Sequence, residues 1–124
     1  MKENIATAEL EVMRVLWGAQ RPLSFTEIRT QLEASTGWKK STIQTLVSRL
    51  REKGAIFAEN GHVMLYAPII LESEYLDGQK QGFIDRLFDG SAKNLVASLV
   101  SSGQLSRDDV NELQDFFKME ERDD

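Results

Sequence analysis

The segment from Trp38 to Gly54, WKKSTIQTLVSRLREKG, constrains the fold more than any other part of the chain. Ile43, Leu46 and Leu50 fall at i, i+3 and i+7 with Val47 on their flank, which predicts one amphipathic helix with a single buried stripe. The other faces carry Lys39, Lys40, Arg49, Arg51 and Lys53 against one acid, Glu52, so the segment is +4 in a chain of net −5. Ser41, Thr42, Gln44, Thr45 and Ser48 sit between the cations. A helix of this kind, cationic and rich in hydroxyl and amide groups on its outer side, suits the major groove of a duplex. On its own it could equally be a solvated surface helix, and the neighbouring segments bear on that choice.

Upstream, Leu10, Met13, Leu16 and Trp17 give a helical stripe from Thr7, the expected cap, to Gly18, the expected stop. Ser24-Phe25-Thr26-Glu27 reads as a capping box opening a second, short helix with Phe25, Ile28 and Leu32 inside. Downstream of Gly54, Ala55–Glu59 and His62–Ala67 read as strands joined by Asn60-Gly61, a pair suited to a two-residue type I′ turn, and Pro68 stops the second strand. Three short helices and then a hairpin, with the basic helix third, is the order of a winged helix-turn-helix.

The rest is helical and acidic. Leu76, Phe83, Leu87 and Phe88 with Tyr75 and Ile84, then Leu95, Val96, Leu99 and Val100, then Val110, Leu113, Phe116 and Phe117, mark three helices, the last capped by Ser106. Helices this short cannot enclose so many large apolar groups alone, so they either fold over the first domain as a monomeric lid or pair with another chain, and pairing is favoured because a helix-turn-helix commonly uses a twofold partner to grip two half-sites. The expected organisation is therefore a mostly α chain with a small β-hairpin. Residues 1–70 form a winged-helix DNA-binding domain, and 71–124 a three-helix dimerisation domain pairing through Tyr75, Leu76, Phe83, Leu87, Leu95, Val96, Leu99, Val100, Val110, Leu113 and Phe117.

Charge follows the same division. Residues 1–66 hold nine Lys/Arg and seven Asp/Glu, whereas 67–124 hold six and thirteen, so the acidic bulk does not preclude a local basic face. No apolar run could span a bilayer, the first residues have no apolar signal core, and the absence of cysteine suits a reducing cytoplasm. The only histidine, His62, falls in the wing, with phosphate contact as its functional reading. No nucleophile–base pair, metal-ligand cluster or glycine-rich phosphate loop is present, so no catalytic residue, metal or cofactor is expected.

TAELEVMRVLW at Thr7–Trp17, GWKKSTIQTLVSRLREKG at Gly37–Gly54, YAP at Tyr66–Pro68 and LVASLVSSGQLSRDDVNEL at Leu95–Leu113 together resemble the BlaI/MecI/CopY group of bacterial transcriptional repressors over almost the whole chain. The resemblance implies a homodimer that represses promoters from dyad operators, with known members controlling β-lactamase, an alternative penicillin-binding protein or copper export. It implies that the basic helix is the recognition helix, with Trp38 at its backbone end and Thr42 a base- or phosphate-contacting hydroxyl. Gln44 and Ser41 stand where the antibiotic-resistance repressors have arginine and lysine, while Lys39 and Lys40 replace serine and proline. The expected duplex contacts are Trp38, Lys39, Lys40, Ser41, Thr42, Gln44, Thr45, Arg49, Arg51 and His62, with Lys53 a further cation. Gln44 is the residue expected to read a base, because its amide can pair bidentately with adenine.

The resemblance also bears on regulation. The copper branch uses a C-terminal cysteine cluster, absent here. The antibiotic-resistance branch is released by proteolysis at an asparagine–phenylalanine bond, whose matching positions are Ser98-Leu99. A membrane sensor protease is the partner that would imply, and the altered bond leaves open a different protease or a different inducing signal. The reading from another class is a protein-binding winged helix that touches no DNA, against which the polar, cationic outer face counts.

Overall fold

A computed structural model describes residues 4–122. The elements are α1 (Thr7–Ala19), β1 (Leu23–Ser24), α2 (Phe25–Thr36), α3 (Lys40–Glu52), β2 (Ile56–Glu59), β3 (Leu65–Pro68), α4 (Glu72–Leu87), α5 (Ala92–Ser101) and α6 (Arg107–Arg122). The chain divides into two compact units, one ending at Leu76 and the other starting at Asp77. The first turn of α4 therefore belongs to the first unit.

The first unit owns the entire buried core. Val12, Met13 and Leu16 of α1, Ile28 and Leu32 of α2, and Ile43, Leu46, Val47 and Leu50 of α3 meet there with Leu23, Ala55 and Ile56. Met13, Leu16, Ile28, Leu32 and the whole α3 stripe are buried as the sequence predicts, whereas Leu10, Trp17 and Phe25 only pack against the core's edge and Val12, outside the expected α1 stripe, is fully buried. Three strands close one side in the order β1-β3-β2, all antiparallel, with Leu23 opposite Tyr66 and Ala58 opposite Tyr66 from the other edge.

Several boundaries differ from the sequence expectation. Helix α1 is capped from Ala6, whose N–H donates to Glu9 Oε1 at 2.9 Å, and not from Thr7. It runs through Gly18 to Ala19, and Gln20 takes the left-handed terminal conformation at φ 55°. Trp38 lies outside the basic helix, with Lys39 as its cap. The Asn60-Gly61 turn is not a type I′ hairpin. Pairing ends at Glu59–Leu65, so a longer loop from Asn60 to Met64 forms the wing tip, and neither Asn60 nor Gly61 has positive φ. Past Leu65 no core remains to bury another pair, and Val63 and Met64 are exposed. Leu23 and Ser24 form an edge strand as well, Ser24 being also the expected helix cap.

In the second unit, α5 starts at Ser91, whose Oγ accepts from the Asn94 N–H. Helix α6 starts at a reciprocal box: Asp109 N–H donates to Ser106 Oγ and Ser106 N–H to Asp109 Oδ2, each at 3.0 Å. No side chain of α4 or α5 is fully buried.

Candidate nucleic-acid interface

Helix α3 is set by what precedes it. Ser24 Oγ accepts from the Glu27 N–H at 3.2 Å and Glu27 Oε1 accepts from the Ser24 N–H at 3.0 Å, closing the expected box at the start of α2. Arg21 adds a 2.6 Å ion pair to Glu27 Oε2. The Arg21 guanidinium is the main cause, with the Ser24 N–H next, of a Glu27 carboxyl held down to about 2. Gly37 then turns the chain in the left-handed region at φ 74°, which a residue with a Cβ adopts only under strain. Trp38 follows in the turn, its N–H on Thr36 Oγ1 at 3.1 Å and its side chain half-buried against the core.

With Ile43, Leu46, Val47 and Leu50 buried, α3 must present its polar side outward. Lys39, Lys40, Ser41, Thr42, Gln44, Thr45, Ser48, Arg49 and Arg51 are all exposed. Thr45 Oγ1 donates back to the Ser41 carbonyl at 3.0 Å. Among the described residues no carboxylate lies within 4.0 Å of Lys39, Lys40, Arg49 or Arg51. Lys39 gives no side-chain cap and the first turn holds no acid, so the helix begins with unpaired N–H groups between two lysines, a favourable place for an anion. Lys40 and Arg51 are about 16 Å apart along the axis at 1.5 Å per residue. That separation is of the same order as the roughly 12 Å width of a major groove.

The wing lies beside the far end of this helix. Arg51 Nη1 is 4.0 Å from Met64 Sδ, and His62 is exposed on the same loop. The expected polar and cationic contacts therefore share α3 and the adjoining wing, whereas Trp38 flanks them from within the core's edge.

Lys53 does not belong to that set. Its ammonium is drawn to the start of α1, donating to Glu9 Oε1 at 2.5 Å and to the Asn4 carbonyl at 2.8 Å. Glu9 is only 2% exposed. Burial alone would raise its carboxyl, but the hydrogen bonds from Lys53 and from the Ala6 N–H, with the charges of Lys53 and Arg49, hold it below the usual carboxylate range. One sequence signal could have found this pair: Glu9 precedes Val12, Met13 and Leu16 at i, i+3, i+4 and i+7, on the inner stripe itself.

The apolar residues expected at a dimer contact fall into two places. Tyr75 packs on Trp17 within the first unit, ring centroids 5.7 Å apart. Leu76, Phe83, Leu87, Val96, Val100, Leu113 and Phe117 are exposed, from 40% at Phe83 to 64% at Phe117, as are Phe116 and Met119. Leu95, Leu99 and Val110 are half-buried, and Ser98 is exposed on α5. Among the described residues no helix is long and apolar enough to cross a membrane and no acidic or histidine cluster could hold a metal ion.

Residues 5–119 match the family model described as penicillinase repressor. The chain is 36% identical over 111 residues to the penicillinase repressor of Bacillus licheniformis, covering 89% of this chain and 86% of that one. It is 30% identical over 115 residues to the methicillin resistance regulatory protein MecI of Staphylococcus aureus strain N315, covering 92% and 93%. Among solved structures it is similar to the DNA-binding domain of the repressor BlaI, with TM-score 0.53, 40% identity, and coverage of 60% of this chain and 94% of that one. It is also similar to the monomeric form of the Bacillus licheniformis BlaI in complex with the blaP half-operator, with TM-score 0.54, 38% identity, and coverage of 60% and 92%.

Proposed function

The chain belongs to the penicillinase repressor family, and from that premise we propose that it is a DNA-binding transcriptional repressor whose helix α3 enters the major groove of an operator. The observation that carries this reading is the division of α3 into a fully buried stripe and an exposed polar face flanked by Lys39, Lys40, Arg49 and Arg51, none of which has an acid partner within 4.0 Å among the described residues. Lys39, Lys40 and the open N-terminus of α3 neutralise phosphates on one side of the groove. Arg49, Arg51 and the wing with His62 do so on the other. Ser41, Thr42, Gln44 and Thr45 face the base edges between them.

The same reading makes the repressor a homodimer on a dyad operator, occluding a promoter. Support comes from the apolar side chains left exposed on α4, α5 and α6, which a second copy would cover. Release by a membrane-linked protease acting near Ser98-Leu99 fits an exposed Ser98, and a change of inducer fits the altered bond equally. Membership in a family of repressors also argues against catalysis as this chain's role.

A duplex enriched from a random pool against the full chain, titrated beside an unrelated duplex at two salt concentrations, tests the reading. Four exposed cations per protomer predict a log–log salt slope near −7 for a dimer on two half-sites, at about −0.9 per phosphate neutralised. Equal affinity for both duplexes, or binding indifferent to salt, would leave the protein-binding alternative standing.

A further inference from the structure

Between the wing and α4 the chain has only Ile69, Ile70 and Leu71, and each is tied down through its backbone. The N–H groups of Ile69 and Ile70 donate to the Ala55 carbonyl at 2.8 and 3.5 Å. The Ile70 carbonyl accepts from Trp17 Nε1 at 2.9 Å, linking this segment to the end of α1. The Leu71 N–H donates to Glu74 Oε1 at 3.1 Å, and the Leu71 carbonyl accepts the Tyr75 N–H at 3.0 Å. Tyr75, in the first turn of α4, then lays its ring on Trp17. This is the opposite of a flexible tether, which would be rich in glycine and serine and free of such bonds.

The anchor is narrow. Ile69 and Leu71 remain 53% and 59% exposed, so burial of their side chains contributes little. Beside Trp17 lies an open cleft of about 370 Å³, lined by Leu16, Pro22, Ala67, Pro68 and Leu71 among others. The Ala55 bonds and the partly buried Ile70 side chain tie the segment to the core, and the direct tie to α1 is the Trp17 indole, through its N–H on the Ile70 carbonyl and its tilted contact with Tyr75.

We infer that Trp17 is a positioning residue for operator recognition: by anchoring the point where the chain leaves the winged helix, it makes the dimer discriminate between half-site spacings. The inference rests on the dimeric-operator reading above. Moving one half-site by a base pair displaces it by about 3.4 Å and rotates it by about 35°. A loose exit absorbs such a change. An anchored exit resists it, and accommodating the wrong spacing requires breaking the Trp17 anchor.

The experiment uses the full-length chain and a dyad enriched from a random duplex pool, rebuilt with its half-sites one and two base pairs closer or farther, beside an isolated half-site. The wild type should prefer one spacing by about tenfold. Trp17→Phe keeps an aromatic ring and removes the donor, and the loss of one such bond per protomer should shrink that preference about fivefold. Half-site affinity and sedimentation of the dimer should stay at wild-type values, which a general loss of structure would not allow. A second variant, with Gly-Ser inserted after Leu71 and Trp17 intact, should level the spacing profile in the same way. Retention of the full preference by either folded variant overturns the inference, as does a fall in half-site affinity for Trp17→Phe. A dyad that the wild type binds equally at every spacing overturns this inference alone. A pool that yields no dyad overturns the operator reading beneath it.

Discussion

Nζ of Lys53, on the turn that closes α3, donates to Oε1 of Glu9 in the first turn of α1 at 2.5 Å. The contact joins residues far apart in the chain and locks the end of the candidate recognition helix to the body of the domain. It also removes from the outer face a cation that the sequence assigns to DNA.

Lys53→Met should therefore act on stability and not on operator reading. It leaves a carboxylate that is 2% exposed without its partner, a loss of about 3 kcal/mol in urea unfolding. Glu9→Gln should cost less, because the ammonium left behind is 22% exposed and can turn to water. A double-mutant cycle should return a coupling well above that of a surface pair, and additive single effects would contradict the ion pair.

The same pair sets a pH dependence. The folded Glu9 carboxyl lies below its ordinary value of 4.5, so its stabilisation is present above about that pH and is lost as acid titrates the folded carboxylate. Stability should fall with acidification from pH 5 downward by roughly the linkage slope of one such group. In Lys53→Met that slope should flatten, since burial is then opposed chiefly by the Ala6 N–H. An unchanged acid limb in the variant would count against the assignment.

Glu27 supplies a second titration. Its carboxyl should titrate near 2 in a carbon-detected NMR experiment, because Arg21 and the Ser24 N–H both stabilise the charged form. The contribution is fully present above the ordinary 4.5 and fades as pH falls toward 2. Arg21→Ala should move the midpoint back up while the box with Ser24 persists. A midpoint near 4.5 in the unaltered chain would refute the pairing.

On DNA, Gln44→Ala should weaken binding to the enriched duplex by about tenfold, the loss of one bidentate base contact, and leave unrelated duplex nearly unaffected. Lys40→Ala or Arg49→Ala should weaken both and reduce the salt slope by about 2 for a dimer, one phosphate per half-site. Equal losses on both duplexes for Gln44→Ala would assign that side chain to the backbone.

Charging the exposed apolar face should separate dimerisation from reading. Phe117 is 64% exposed on α6, so Phe117→Asp costs the folded protomer little. It should shift sedimentation toward the monomer and lower full-operator affinity while half-site affinity holds. A variant that remains dimeric would move the contact elsewhere on the chain.

Much of the scaffold is legible in the chain itself. The period of Met13 and Leu16, of Ile28 and Leu32, and of Ile43, Leu46 and Leu50 shows which faces are buried, because a helix has only one side to turn inward, though Val12 joins the α1 face unread and Leu10 and Trp17 stay at its edge. Ser24 with Glu27, and Ser106 with Asp109, mark helix starts, since the donors they satisfy lie three residues away. The exposed polar face of α3 follows from the same periodicity without reference to any neighbour.

Other features needed the packed molecule. The length of the wing depended on where core surface ran out beneath Leu65, which Asn60-Gly61 does not encode. Lys53 and Arg49 look alike in sequence, yet one is bound to a buried carboxylate brought from α1 and the other faces outward. Trp17 reads as one more apolar residue until the Ile70 carbonyl arrives at its N–H. Local spacing determines which side of an element is apolar, because that depends only on backbone geometry. Which charge finds which partner depends on where distant segments meet, and only the tertiary fold decides that.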